Sequence, residues 1–140
     1  MDRTDAQKGF SLIEMLMVTV IIGLLASIGV PSMLKAREAA QRGATIGTLR
    51  TMHTDQLMYY SSKGRYARLN ELNSTFKRTF GTTVGSRLYK SNYMYLMSPS
   101  PSLKSLKTGY QIVVYSLNSE YLYPSFSMNQ NGEIQSIYLR

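Results

Sequence analysis

Side chains that could do acid–base, nucleophilic or metal chemistry are few in this sequence of 140 residues. It has no cysteine, one histidine (His53) and eight acidic residues. Asp55, two residues from His53, would lie on a different face of a helix, so we expect no Ser-His-Asp arrangement, no multi-histidine metal site and a solvent-facing His53. The acids after residue 60 are too few and too scattered for a calcium cage (Glu71, Glu120 and Glu133). We therefore expect neither an enzyme nor a bound metal or cofactor.

Glu14 is a further candidate because it borders an uncharged apolar stretch. Residues 15–34, MLMVTVIIGLLASIGVPSML, contain no charge, and Lys35 and Arg37 follow them. These 20 residues, at 1.5 Å each, span about 30 Å, the thickness of a bilayer's hydrocarbon core, so they form a candidate membrane helix. A carboxylate at the edge of such a segment costs free energy unless it is paired or interfacial, and by default it marks a functional site.

Two ordinary explanations of the apolar stretch leave part of the sequence unexplained. A secretory signal peptide would be cut after small residues near Ser27 and Gly29, yet no positively charged region precedes it, because two acids balance two bases (Asp2, Asp5, Arg3 and Lys8). The amphipathic pattern also continues past that point. A plain membrane anchor would explain the length of the stretch but not the carboxylate of Glu14.

The residues around Glu14, GFSLIEMLMVTVIIGLLASIGVP, resemble the class III leader and N-terminal helix of type IV pilins and type II secretion pseudopilins. The resemblance joins a short hydrophilic leader ending in Lys8-Gly9, then Phe10, a glutamate four residues later and an apolar run with a proline. It implies that prepilin peptidase cleaves between Gly9 and Phe10 and methylates the new N-terminus at Phe10. The protein would then keep its apolar helix in the inner (cytoplasmic) membrane until the inner-membrane pilus assembly machinery adds it to an extracellular pilus filament of copies of itself.

The same resemblance assigns subunit assembly to Glu14. On a helix, Phe10 and Glu14 would lie one turn apart, and the resemblance implies that Glu14 of an incoming subunit neutralises the Phe10 amine of a subunit already in the filament. Removing one partner of a buried ion pair costs about 3 to 5 kcal/mol, which agrees with a registry role; the alternative is a solvated flanking charge. The resemblance also implies a helix weak point between Gly23 and Pro31, for which the alternative is a kinked but continuous helix.

Apolar periodicity predicts one long helix followed by a sheet. After the apolar stretch, a three-to-four spacing of small and apolar residues continues from Ala36 to about Tyr59, so one helix from about Ser11 to about Ser61 is predicted. From residue 92 the period changes to two in the segments NYMYLM, GYQIVVYSL, YLYPSFSM and EIQSIYLR, which predicts an antiparallel sheet of about four strands with Asn131-Gly132 in a hairpin turn. One face of the sheet should pack on the helix through apolar side chains (Ile112, Val114, Phe126 and Ile137).

These patterns and the resemblance together indicate an α+β protein with the pilin fold. We expect a leader peptide (1–9), a transmembrane and assembly half of the long helix (10–34), a soluble half (35–61), an irregular αβ-loop with one helical turn (62–91) and the antiparallel β-sheet (92–140). The phrase GRYARLNEL, residues 64–72, is similar to the G-x-Y-x-x-L-x-x-L phrase that often follows the long helix in pilins. Without cysteine, the disulfide that closes many pilins is impossible, so the last strand must be held by packing and pairing.

Most of the net charge of +8 lies in the second half, where ten bases and three acids follow residue 60. Basic subunits repeated along a fibre would attract DNA, and interleaved tyrosines could stack on its bases (candidate contacts Lys77, Arg78, Arg87 and Lys90). The alternative is a solubilising surface that pairs with neighbouring subunits. Electron transport along stacked tyrosines is a further alternative, which depends on ring spacings that the sequence does not contain.

We therefore expect a structural subunit of a type IV pilus-like filament that acts in motility, adhesion or DNA uptake. The alternatives are a type II secretion pseudopilin and a DNA-binding minor pilin in DNA uptake. Major pseudopilins usually carry an acidic, calcium-binding C-terminal loop, and its absence here favours the pilin.

Overall fold

A single long helix dominates the first half of the molecule. The computed structural model describes residues 9–76, 80–97, 101–117 and 124–137, and the chain divides into two compact units after Ala40. Helix α1 runs through Leu12–Lys63. It ends where Gly64 adopts a φ of +66° and donates its N–H to the carbonyl of Tyr60 at 2.8 Å, an ending that glycine adopts without a Cβ penalty. The predicted helix from about Ser11 to about Ser61 is confirmed.

In the first unit, the described residues leave their apolar surface uncovered. Every residue from 9 to 40 is exposed, including large side chains such as Phe10, Leu12 and Ile28. By length and composition, α1 is a helix that could cross a membrane. Nothing in the described chain therefore shields this segment from water.

The second unit contains an antiparallel sheet whose six strands lie side by side in chain order. They are β1 (Thr82–Val84), β2 (Arg87–Lys90), β3 (Tyr93–Met97), β4 (Gln111–Ser116), β5 (Pro124–Asn129) and β6 (Ile134–Ser136). A short helix, α2 (Leu69–Thr75), precedes β1, and a 3-10 turn at Ser105–Lys107 lies between β3 and β4. The sheet thus has six strands rather than about four. The segment 62–91 contains α2, where one helical turn was expected, and also β1 and β2, where we expected an irregular loop.

The two additional strands escaped prediction because they are short and their turns are unusual. Strands of three and four residues contain too few side chains to show a period of two. Gly85, with a φ of +61°, turns the chain between β1 and β2, whereas the turn between β2 and β3 places Ser91 and Asn92 at φ values of 46° and 62°. Non-glycine residues seldom adopt that region. The predicted hairpin at Asn131-Gly132 is confirmed, since Gly132 has a φ of +78° between β5 and β6.

The core lies between one sheet face and the C-terminal part of α1. Across the middle of that face, paired positions on β2 to β5 form a row of buried side chains: Leu88, Tyr95, Val114 and Phe126. The helix adds buried residues at three-to-four spacing, which include Leu49, Met52, Gln56 and Tyr59. The prediction that Ile112, Val114 and Phe126 face the helix is confirmed, whereas Ile137 is only half-buried.

Two polar clamps hold the segment after α1: the first ties it to the helix, and the second lies within the segment itself. Gln56, fully buried, donates its Nε2 to the carbonyl of Ala67 at 2.8 Å and accepts the Ala67 N–H on Oε1 at 2.7 Å. Arg65 binds the carboxylate of Glu71 through both of its terminal nitrogens, at 2.8 and 2.9 Å. Because Glu71 also accepts the N–H of Arg68 at 2.9 Å, the second clamp fixes the start of α2.

We predict that Gln56→Ala destabilises the second unit strongly. The substitution leaves the buried N–H and carbonyl of Ala67 without their partners, at about 1 to 3 kcal/mol for each group in the free energy of unfolding. Thr54→Ala, two residues away on the exposed face of the same helix, is the matched control. Thermal unfolding followed by circular dichroism should show a much lower Tm for Gln56→Ala alone, and similar shifts for the two variants would contradict the clamp.

Acid should weaken the Arg65–Glu71 clamp. The hydrogen bonds from Arg65 lower the pKa of Glu71 from 4.5 to about 2, against the opposing effect of burial. A carboxylate with a lowered folded-state pKa contributes stability above its unfolded pKa and loses it as the pH falls. Unfolding measured between pH 5 and about pH 2 should therefore show a stability loss whose slope is smaller in Glu71→Gln. An unchanged slope in that variant would contradict this assignment.

Candidate functional site

The dipeptide expected to be cleaved is accessible. Gly9 and Phe10 lie outside α1, and both are exposed. No heavy atom comes within 4 Å of the point where a side chain at Gly9 would begin, and the Phe10 side chain is 80% exposed. The peptide bond between these residues is thus non-helical and open on the side of Gly9.

Glu14 takes part in a capping box at the start of α1. Its Oε2 accepts the backbone N–H of Ser11 at 2.9 Å, while the hydroxyl of Ser11 accepts the backbone N–H of Glu14 at 3.3 Å. These bonds satisfy two of the N–H groups that a helix start leaves without partners. The negative charge of Glu14 also lies at the positive end of the helix dipole, which stabilises it. The carboxylate is therefore held in place by its own helix.

The capping box changes the expected relation between Phe10 and Glu14. Phe10 precedes the first helical residue, Leu12, so helical spacing does not place it one turn from Glu14. The carboxylate instead holds the N–H of Ser11, the residue directly after Phe10. Cleavage would thus create an amine at Phe10 next to the carboxylate of Glu14, which already accepts a hydrogen bond from the backbone N–H of Ser11.

The helix continues through both residues of the expected weak point. Gly23 and Pro31 lie inside α1 without a break. Pro31 has no N–H, so the carbonyl of Ser27 loses the helical donor that it would otherwise have. The Ser27 hydroxyl donates to the carbonyl of Leu24 at 2.8 Å. In the single chain the helix is continuous here, and a loss of helicity stays a prediction for the filament.

The four basic residues considered for DNA contact do not form one described surface. Lys77 and Arg78 lie outside the described residues. Arg87 and Lys90 both belong to β2, but three positions apart on a strand place them on opposite faces. Arg87 is exposed, whereas the ammonium of Lys90 donates to the hydroxyl of Thr48 on α1 at 3.1 Å. The structure therefore ties Lys90 to the helix.

The expectation that His53 faces solvent was wrong. Its side chain is half-buried, and Nδ1 lies 3.0 Å from the hydroxyl of Tyr110. Its ring also covers Gly132, where an added Cβ would lie 2.8 Å from Nε2. Helical spacing gave no signal for this contact, because Tyr110 and Gly132 are distant in sequence. Within the described parts of the chain, no group of three or more histidine, aspartate or glutamate side chains could hold a metal.

Comparisons with known proteins point to the N-terminal part of the chain. Residues 4–30 match the family described as the prokaryotic N-terminal methylation motif. The type IV major pilin protein PilA of Myxococcus xanthus is 35% identical over 60 residues, which are 43% of this chain and 27% of that pilin. The type II secretion system core protein G of Escherichia coli is 34% identical over 71 residues, 51% of this chain and 49% of that protein.

A further relative repeats this pattern. The type II secretion system core protein G of Klebsiella pneumoniae is 37% identical over 60 residues, which are 43% of each protein. The matched region spans about half or less of the length of these relatives. No solved structure matches the chain.

We predict that Ser11→Ala loosens the first turn of α1. Loss of the side-chain cap costs about 1 kcal/mol of helix stability, so the first-turn amide groups should exchange with solvent roughly fivefold faster. Hydrogen exchange measured by NMR in detergent micelles would test this. Ser27→Ala is the control, because that hydroxyl binds a carbonyl inside the helix. Equal first-turn exchange in the two variants would contradict the capping box.

Proposed function

We propose that this chain is a structural subunit of a type IV pilus-like filament, since its residues 4–30 match the prokaryotic N-terminal methylation motif and its relatives include a type IV pilin. The observation that carries the proposal is the wholly exposed segment 9–40, which contains the uncharged residues 15–34. Water does not solvate such a surface favourably. Copies of the same helix packed together in a filament core would cover it.

The precursor first lies in the inner membrane. Residues 15–34 match the bilayer's hydrocarbon core in length, and the membrane covers them before assembly. Prepilin peptidase removes the leader (1–9) at the accessible Gly9–Phe10 bond and methylates Phe10. The inner-membrane assembly machinery then transfers the subunit to the filament, which extends outside the cell.

During this transfer, the carboxylate of Glu14 exchanges one hydrogen-bond donor for another, and this exchange guides the subunit into the filament. Before assembly, its carboxylate holds the backbone N–H of Ser11 at 2.9 Å, so the group is partly neutralised while it lies at the membrane surface. In the filament the methylated amine of Phe10 from a neighbouring subunit replaces or joins that donor. A charge-assisted hydrogen bond is stronger than one from a neutral amide. The exchange therefore favours the assembled state only where the two groups meet in register.

Two alternatives from the same family have different support. A type II secretion pseudopilin is supported by the matches to core protein G in several bacteria, and it would share the processing and assembly steps. A DNA-binding minor pilin is supported by the positive charge of the second half. The opposite faces of Arg87 and Lys90 weigh against a site that uses both residues. No catalytic role is proposed, since the named relatives are pilin and secretion proteins.

Processing is tested by the N-terminus of the mature protein. We predict that Edman degradation and mass spectrometry of the membrane form show a chain that begins at N-methylated Phe10. Gly9→Val should leave the leader attached, because the cleaved bond loses its small residue. A mature chain that begins at Met1 or near Val30 would contradict the proposal.

Assembly is tested by Glu14→Ala. We predict that this variant stays in the membrane at normal abundance and is lost from sheared surface fibres, because the carboxylate that sets register is gone. Glu38→Ala, an acid of the same helix beyond the apolar run, is the control and should assemble. Normal fibres from Glu14→Ala would refute the role of Glu14. Fibres that consist mainly of this chain would distinguish a major pilin from a minor pilin or a pseudopilin.

A further inference from the structure

Three tyrosine rings form a continuous string within the second unit. The ring centroids of Tyr60 and Tyr66 are 4.7 Å apart, and those of Tyr66 and Tyr110 are 4.8 Å apart in an edge-to-face arrangement. These are the separations of rings in direct contact. The spacing is fixed by the backbone, because the N–H of Tyr66 donates to the carbonyl of the fully buried Leu106 at 2.9 Å.

The two ends of this tyrosine string have different surroundings. Tyr60 is 40% exposed, whereas Tyr110 is only 6% exposed. Burial, and to a lesser extent the neighbouring Tyr66, raises the pKa of Tyr110, so its phenol keeps its proton. The hydroxyl of Tyr110 lies 3.0 Å from Nδ1 of His53. In the tautomer that carries its proton on Nε2, the histidine accepts the phenol proton at Nδ1.

The imidazole of His53 at this position makes the phenol of Tyr110 easier to oxidise. A tyrosine that loses an electron becomes strongly acidic, and its oxidation is far easier when a base within hydrogen-bond distance takes the proton at once. Histidine is the side chain best suited to accept a proton near neutral pH. Tyr110 has this base, and Tyr66 connects it by direct ring contact to a ring at the surface.

We propose that Tyr110 and His53 form a redox-active pair, which a one-electron oxidant at the surface oxidises through Tyr60 and Tyr66. The oxidant removes one electron from Tyr60, and electrons then move outward along the string, from Tyr66 and finally from Tyr110. Tyr110 loses one electron to Tyr66 and one proton to Nδ1 of His53. The products are a neutral Tyr110 phenoxyl radical, a protonated His53 and the reduced oxidant, so charge and protons balance. The oxidant belongs to the class of diffusing one-electron acceptors of high potential that take up no proton on reduction.

Among the described residues, Tyr59 and Tyr95 have no hydrogen-bonded base of this kind. The hydroxyl of Tyr59 accepts a hydrogen bond from Arg65 at 3.2 Å, and the guanidinium carbon lies 5.3 Å from the ring centroid. A positive charge so close opposes removal of an electron from the ring. Tyr95 is almost fully buried, and its hydroxyl interacts with the hydroxyls of Thr45 and Thr48, which are not bases at neutral pH. An electron vacancy formed at Tyr60 is therefore filled from Tyr66 and then from Tyr110, and the radical remains on Tyr110.

The experiment uses the full chain in detergent micelles and photogenerated tris(bipyridine)ruthenium(III) as the one-electron oxidant. Transient absorption and electron paramagnetic resonance would record the tyrosyl radical. We expect a long-lived radical that is lost in Tyr110→Phe, which keeps the ring and its packing, and that decays faster in His53→Gln, which keeps a polar side chain without a strong base. Tyr66→Leu should lower the radical yield at Tyr110 by interrupting the string.

Tyr115→Phe is the matched control, because Tyr115 is a half-buried tyrosine on β4 outside the string. It should keep the long-lived radical. Circular dichroism confirms that each variant is folded before it is oxidised. Equal radical yield and lifetime in Tyr110→Phe and Tyr115→Phe would overturn the proposal, and so would an unchanged lifetime in His53→Gln. The result is independent of whether the chain assembles into a filament.

Discussion

The uncovered apolar surface of residues 9–40 is the constraint on which the rest of the molecule depends. Removing apolar surface from water is worth about 25 cal/mol per Å², and every described residue of this segment is exposed in the single chain. A bilayer and a bundle of identical helices can both cover it, and both are apolar. The apolar surface alone therefore distinguishes poorly between the two environments. In contrast to that surface, Ser11 and Glu14 at the helix start are polar groups joined by hydrogen bonds, whose strength depends on which donors and acceptors lie near them.

Several polar side chains of the second unit are paired within it. Gln56 pairs with the backbone of Ala67, which binds the chain after α1 back to the helix, and Arg65 pairs with Glu71 within that segment. His53 fills the space over Gly132 in the last hairpin. In a chain without cysteine, such contacts hold the elements of the unit together in place of a disulfide. The exposed positions of the same helix, such as Leu57 and Met58, remain open.

The sequence predicted those features that depend on many residues and missed those that depend on a few. The long helix was identified from its uncharged apolar run and the three-to-four spacing after it, and β3 to β6 from segments with a period of two. β1 and β2 are only three and four residues long and lie in a stretch rich in Gly, Ser and Thr, where no sustained period develops. The burial of His53 and Gln56 depends on partners from other elements, which a local pattern does not contain. Of the candidate site, Glu14 stood out by its type and position, whereas its bond to Ser11 was missed although a serine three residues before a glutamate at the start of an apolar run is the sequence pattern of a capping box.

The tyrosines of the second half do not act as one population. Tyr93 and Tyr95 fill the core between sheet and helix, which is the use that strand propensity favours. Tyr59 lies against the guanidinium of Arg65, and Tyr60 begins the string that ends at His53. The basic residues also differ in their surroundings, since Arg87 is exposed while the ammonium of Lys90 donates to the hydroxyl of Thr48. An excess of one residue type therefore says little about a surface until each side chain has been assigned to core, clamp or solvent.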